Sequence, residues 1–124
     1  MVDCVLIRGK DVLLVKRDRE PWKGKWALPG GFMEFGETAE EAVIREAREE
    51  TGMETRPVRL LGVYSSPSRD VRQTVAIAFL CAAVKNAEPK GGDDASDARW
   101  WHLSALPELA FDHGKIIRDA LTKF

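Results

Sequence analysis

Residues 31–53 of this 124-residue chain read GFMEFGETAEEAVIREAREETGM, and the fold is built around this stretch. Thr38 followed three residues later by Glu41 has the pattern of a capping box, which starts a helix directly after Thr38. Gly52 can adopt the left-handed conformation that ends a helix, so the helix is predicted to end near Thr51. One side of it is apolar and small enough to lie close against a sheet: Ala39, Ala42, Val43, Ile44 and Ala47.

The same helix carries an acidic sector. Glu46, Glu49 and Glu50 project close together because residues three and four apart on a helix are neighbours. Crowded carboxylates repel one another, and a hard cation with oxygen ligands, such as Mg²⁺, reverses the sign of that interaction. The spacing therefore leaves two interpretations open, a cation site and a solvated charged face.

Outward from the helix, the chain alternates between extended segments and turns. Two apolar runs, residues 4–7 and 12–15, flank a turn with Gly9 and predict a hairpin. A polar loop over residues 17–25 leads to an extended segment that ends at Pro29-Gly30-Gly31. Residues 58–65, 74–84 and 98–103 read as strands, and residues 113–121 read as a closing helix. The elements predict one domain over residues 1–124. Its fold class is α/β or α+β, with helices packed on a mixed sheet.

Composition narrows the classes of partner. The 19 basic and 20 acidic side chains are interleaved and give a net charge of −1, which argues against binding of long nucleic acids or a membrane surface. No apolar run approaches the 18 residues of a membrane span, and the N-terminus lacks the pattern of a signal peptide. Cys4 and Cys81 lie in apolar runs without metal-ligand spacing, as expected of buried thiols in a reducing compartment. We therefore expect a cytoplasmic protein.

The spacing of Gly31, Glu37 and the run from Arg45 to Gly52 resembles the Nudix box, the signature of hydrolases that cleave a nucleoside diphosphate linked to another group. The resemblance implies an αβα sandwich. It also implies that Glu46, Glu49 and Glu50 bind Mg²⁺ together with the backbone carbonyl of Gly31, and Mn²⁺ suits the same oxygen ligands. One departure is Ala47, which stands where the family usually has a larger aliphatic residue.

Catalytic roles follow from the same resemblance. Glu37 and Arg45 are expected to form an ion pair that joins the loop to the helix, with a secondary effect on the site. Glu49 is the first choice for the base that deprotonates water. Acids on a later loop, Asp93 and Asp94, are the alternatives, since the glycines before them would let that loop bend towards the metal. A plain turn rich in turn-forming residues is the simpler interpretation of that loop.

Residues outside the box bear on the substrate. Arg69 and Arg72 offer two guanidiniums for phosphate and Asp70 a carboxylate for sugar hydroxyls, although solvated loop charges would look the same. Trp22 lies in a polar loop, where it can stack on adenine or simply pack. The segments around these residues resemble the ADP-ribose pyrophosphatase group, as do Gly92-Asp93-Asp94-Ala95 and Ala110-Phe111-Asp112-His113. Within this resemblance Asp93 is expected to contact substrate, and Gln73 replaces a common glycine. His113 opens the last helix, where it can cap the helix or contact substrate, although a plain surface residue is the favoured interpretation.

Three functions remain open from sequence. The first is Mg²⁺-dependent hydrolysis of ADP-ribose, a small nucleoside diphosphate, to AMP and ribose 5-phosphate. The second is the same chemistry on an oxidised nucleoside triphosphate, a dinucleoside polyphosphate or NADH. The third is a sensor that binds ADP-ribose-like ligands without hydrolysis, which the complete set of glutamates opposes. Relatives of this kind are often homodimers, so the resemblance makes a homodimer possible, and the sequence leaves the oligomeric state open.

Overall fold

The computed structural model describes residues 1–92 and 95–123. Along these residues, four strands come first and are followed by a helix, three more strands and a second helix. The elements are β1 (Val2–Arg8), β2 (Asp11–Arg17), β3 (Trp26–Ala27), β4 (Gly30–Gly31), α1 (Ala39–Thr51), β5 (Thr55–Tyr64), β6 (Ala76–Ala83), β7 (Ala95–His102) and α2 (His113–Lys123).

The sheet is mixed, as predicted. Its strands lie in the order β3-β2-β1-β6-β5, with β4 pairing to β1 and β7 pairing to β2. The β1–β6 pair is parallel, and the other pairs are antiparallel. The predicted N-terminal hairpin is present, because β1 and β2 pair directly across the turn at Gly9. Strand β1 therefore lies at the centre, where it touches the glycine strand β4 that begins the box.

Alternation along β1 separates two apolar layers. Val2, Cys4 and Leu6 pack towards α1, whereas Val5 lies in the layer that holds Ile116 and Ile117 of α2. Successive side chains of a strand point to opposite faces, so one buried strand serves both layers. The predicted αβα sandwich is confirmed. Cys4 and Cys81 are buried free thiols on the α1 side.

Helix α1 begins and ends where the capping signals predict. The Thr38 side chain accepts a hydrogen bond from the Glu41 amide, and the Glu41 carboxylate accepts one from the Thr38 amide. Gly52 ends the helix with φ +73°, the left-handed conformation, and its amide donates to the Arg48 carbonyl. The cap fixes which residues face the sheet. In the described part of the chain, neither helix has the length and apolar character needed to cross a membrane.

Candidate metal and nucleotide site

Arg45, in the middle of α1, organises the acidic residues of the box. Its Nη2 and Nε donate to the two carboxylate oxygens of Glu37 at 2.7 and 3.0 Å. Its Nη1 donates to Glu46 Oε1 at 2.8 Å and to Glu49 Oε2 at 3.1 Å, and lies 3.3 Å from Glu34 Oε1. The structure thus places Glu37 and Arg45 in the ion pair that the resemblance implied, and it adds Glu34 to the group.

We call Glu34, Glu37, Glu46 and Glu49 with Arg45 the acidic cluster. The hydrogen bonds from Arg45 lower the pKa of Glu37. Burial raises the pKa of Glu46, and the hydrogen bond from Arg45 opposes that rise. Four carboxylates share one guanidinium, so the cluster keeps an excess of negative charge that favours a cation.

The two glycines of β4 lie directly beneath this cluster. A Cβ at Gly31 would stand 2.6 Å from Glu46 Oε2, so a side chain there would displace the carboxylate. The Gly30 amide donates to Glu50 Oε1 at 2.9 Å. Glu50 is buried and turns towards this strand, whereas Glu46 and Glu49 meet at Arg45. The metal-binding roles of Glu50 and of the Gly31 carbonyl stay predictions.

A cleft of about 240 Å³ opens beside the cluster. Glu46 and Glu50 give the lining acidic groups, Arg17 and Arg72 give it basic groups, and Phe32 adds an aromatic ring. Burial lowers the pKa of Arg17, the residue that ends β2. Sequence reasoning missed Arg17 as a site residue, although its place at the end of an apolar run was an available signal. The cleft therefore joins carboxylates to guanidiniums, as an anionic substrate held through a cation requires.

The loop predicted to grip the substrate folds largely upon itself. Arg69 is buried, and its Nε donates to both oxygens of Asp112 at 3.1 Å, while its Nη1 donates to the Thr74 hydroxyl at 2.8 Å. Asp70 is buried as well and accepts from Arg72 and Thr74. Burial opposes ionisation of Asp70, yet these hydrogen bonds prevail and lower its pKa to about 2. The structure gives Arg69 and Asp70 scaffolding contacts in place of the free groups expected from sequence.

Arg72 differs from its two neighbours, because its guanidinium is partly exposed and reaches the cleft. It lies 5.6 Å from the centre of the Phe32 ring, within the range of a cation–π contact. Its predicted role in binding phosphate stays a prediction. Asp93, predicted to contact substrate, and Asp94, the alternative base, lie outside the described residues.

Trp22 and Phe111 meet edge to face beside the cleft, with ring centres 6.3 Å apart. Both adopt positive φ angles, +68° and +53°, which are uncommon for aromatic residues and are often found where ligands bind. Trp22 is partly exposed, and its predicted stacking on adenine stays a prediction. His113, read from sequence as a surface residue, is buried beside Phe111. Its place just before the apolar stripe of α2 was the signal for burial.

The carboxylate oxygens of the acidic cluster are suitable ligands for a hard cation. Glu46 and Glu49 both lie within 3.2 Å of the same Arg45 nitrogen, so their oxygens share one small region. Across residues 1–92 and 95–123, no three acidic, histidine or cysteine side chains already converge to hold a metal ion. Mg²⁺ suits such an open set because it keeps several waters and uses one or two carboxylates with substrate phosphates.

Sequence comparison connects this geometry to known proteins. The family model described as NUDIX domain matches residues 1–120. An ADP-ribose pyrophosphatase of Methanocaldococcus jannaschii is 51% identical over 119 residues, which cover 95% of this chain and 70% of that protein. The 8-oxo-dGDP phosphatase NUDT18 of Danio rerio is 34% identical over 126 residues, which cover 100% of this chain and 38% of that protein. Similarity to the second relative is thus confined to little more than a third of its length.

Solved structures share the fold. The NUDIX domain of Shewanella oneidensis NrtR, complexed with ADP ribose, matches with a TM-score of 0.84 and 31% identity, covering 98% of this chain and 85% of that chain. A MutT/nudix family protein from Enterococcus faecalis matches with a TM-score of 0.86 and 31% identity, covering 98% of this chain and 60% of that chain.

Proposed function

This chain belongs to the Nudix hydrolase family, and from that premise we propose that it hydrolyses ADP-ribose to AMP and ribose 5-phosphate in a Mg²⁺-dependent reaction. The observation that carries the chemistry is the acidic cluster, whose excess negative charge faces a cleft that also holds Arg17 and Arg72. ADP-ribose is favoured over other substrates by the 51% identity to an ADP-ribose pyrophosphatase across 95% of the chain.

In this proposal Glu46, Glu49 and Glu50 would hold Mg²⁺ with the Gly31 carbonyl, and the bound ion would supply neutralisation of charge on the diphosphate. Arg45 keeps the carboxylates of Glu46 and Glu49 side by side, since its Nη1 donates to both. Arg72 and Arg17 attract the anionic substrate from the other part of the cleft.

Glu49 is the proposed base. Its side chain is 33% exposed against 14% for Glu46, so water reaches Glu49 more readily. The Glu49 carboxylate takes a proton from water as the water oxygen bonds to phosphorus, and the bridging P–O bond breaks. The water supplies one oxygen to the new phosphate group, and the products are AMP and ribose 5-phosphate. A cytoplasmic location remains a prediction of the sequence, and the oligomeric state, with a homodimer as one possibility, remains open.

The test is product analysis with Mg²⁺ and a panel of ADP-ribose, NADH, diadenosine polyphosphates and oxidised dGTP. We expect ADP-ribose to be cleaved fastest, to AMP and ribose 5-phosphate, and a chelator to abolish the reaction. Faster cleavage of another compound in the panel would overturn the assignment of ADP-ribose as the substrate, while the proposed type of reaction would still stand. Binding of ADP-ribose without cleavage of any member would instead identify a sensor.

A further inference from the structure

His113 opens α2 and is buried, yet the proposed hydrolysis assigns it no role. Its Nδ1 accepts a hydrogen bond from the Leu28 amide at 2.9 Å, so Nδ1 carries no proton. The proton of the neutral ring therefore lies on Nε2, which is 3.4 Å from Asp3 Oδ2. The imidazole thus binds a backbone amide before β4 through Nδ1, and its Nε2 faces a carboxylate on β1 without a hydrogen bond.

Asp3 is the carboxylate that faces His113 Nε2. It is buried, and its Oδ2 has no hydrogen-bond partner within the described residues. The nearest cation is the Arg69 guanidinium, whose Nη2 is 3.9 Å away. In the sheet Asp3 pairs with Gly30, and a Cβ at Gly30 would stand 2.6 Å from Asp3 Oδ1. Asp3 and His113 therefore bound the same short segment of backbone.

That segment, residues 28–31, leads directly to the acidic cluster. The Cys4 amide donates to the Pro29 carbonyl at 2.8 Å, and the Leu28 amide donates to His113. Two residues after Leu28, the Gly30 amide donates to Glu50, and the Gly31 backbone lies close against the Glu46 carboxylate. A shift of the segment would move the surroundings of both glutamates, and shifts of about 1 Å are enough to impair catalysis.

We infer that His113 is a positioning residue: by accepting the Leu28 amide it fixes residues 28–31 and so holds the Glu46 and Glu50 carboxylates in place for a divalent cation. The inference rests on the proposed function for its effect on turnover. Its effect on cation binding stands without any substrate.

Two substitutions separate the two ring nitrogens. In His113→Asn the side-chain carbonyl reaches the place of Nδ1 and can still accept from Leu28. In His113→Gln the amide reaches the place of Nε2 and leaves the Leu28 amide unpaired in a buried position. We measure Mn²⁺ binding to the full chain by electron paramagnetic resonance, then kcat and KM for ADP-ribose with Mg²⁺.

We expect His113→Gln to weaken Mn²⁺ binding roughly tenfold and to lower kcat by a similar factor, because loss of outer partners of a metal site has effects of this size. KM should change little, since His113 does not line the cleft. His113→Asn should recover most of both losses. Tyr64→Phe is the matched control, because it also removes a hydrogen bond that holds α2, from Tyr64 to Asp119 at 2.8 Å.

A purely structural role predicts that His113→Gln and Tyr64→Phe lower the melting temperature and leave Mn²⁺ binding unchanged, and that result would overturn the inference. Loss of Mn²⁺ binding in a folded Asn variant would overturn it too. If the Gln variant does not fold, the Asn variant decides, since it must bind Mn²⁺ nearly as well as the natural chain. Failure to hydrolyse any substrate would refute the proposed function while the Mn²⁺ comparison still tests the role of His113.

Discussion

Two arginine-centred groups contribute residues to the lining of the cleft, and they differ in charge balance. In the acidic cluster, Arg45 is surrounded by four carboxylates, and its side chain is 16% exposed. In the loop over residues 66–74, which we call the arginine loop, Arg69 is 1% exposed and pairs with Asp112, while Asp70 pairs with Arg72. The first group keeps an excess of negative charge, whereas the second is nearly neutral and is buried apart from the partly exposed Arg72 guanidinium.

The difference teaches how to separate a site from a scaffold. Both groups are rich in charged residues within a short stretch of sequence, so composition alone treats them alike. Buried charges must be matched by partners or they destabilise the fold, whereas an excess at a cleft can be offset by a ligand. The following changes test whether the two groups divide function and stability in this way.

The largest effect is expected for Glu49→Gln in the acidic cluster. Removing the proposed base and a ligand charge should lower kcat by roughly 10²–10⁴-fold, the usual contribution of general base catalysis. The melting temperature should hardly move, because Glu49 is partly exposed. Steady-state kinetics and thermal unfolding measure the two effects. Glu40→Gln, an exposed acid in the first turn of the same helix, is the matched control; near-natural turnover by the Glu49 variant would remove it from the site.

The opposite pattern is expected for Arg69→Ala in the arginine loop. The change leaves Asp112 and Asp3 without their buried cation and should cost about 3–5 kcal/mol of folding free energy. Urea unfolding measures that loss. Arg56→Ala, an exposed arginine on β5, should change stability far less. A stable Arg69 variant with a raised KM would return Arg69 to the substrate contacts predicted from sequence.

A smaller effect is expected for Asp70→Asn, and it depends on pH. The folded-state pKa of Asp70 is about 2, below the usual value of 3.8. The ionised carboxylate therefore stabilises the fold fully when the pH is above 3.8. This shift corresponds to roughly 2 kcal/mol, and the contribution disappears as the pH falls through the folded-state value. Unfolding midpoints of the natural chain and the variant should therefore converge in acid. Asp97→Asn, in an exposed pair with Arg99, should show a weaker trend, and a difference independent of pH would contradict the assignment.

The smallest effect is expected for Thr38→Ala, which removes the cap of α1 without touching the acidic cluster. Loss of the hydrogen bond to the Glu41 amide should cost about 1 kcal/mol. Chemical unfolding measures the loss, and kcat for folded enzyme should stay constant. Thr38→Ser is the control because serine caps equally well. A large fall in kcat would show that the cap also sets the geometry of the glutamates.

Local signals determined what the sequence could predict. The cap at Thr38, the left-handed Gly52 and the hairpin follow from residues close together in the chain, whereas the pairing of Glu37 with Arg45 came from the family resemblance. Arg69 and His113 were harder because their partners are distant: Arg69 meets Asp112, and His113 meets Leu28. A charged residue in a loop looks solvated until the fold supplies a buried counterpart, and no local pattern carries that information.

The glycines in and next to the box place unequal limits on redesign. At Gly30 an added Cβ would clash with the Val2 carbonyl oxygen, and at Gly31 it would clash with the Glu46 carboxylate. Gly36 has nothing within 4 Å of an added Cβ, but its φ of +85° strains any other residue, so asparagine, which visits left-handed backbone more readily than most, is the replacement with the least expected strain. A variant library on this scaffold should therefore keep residues 30 and 31 constant and take its diversity from the outer turn around Gly36.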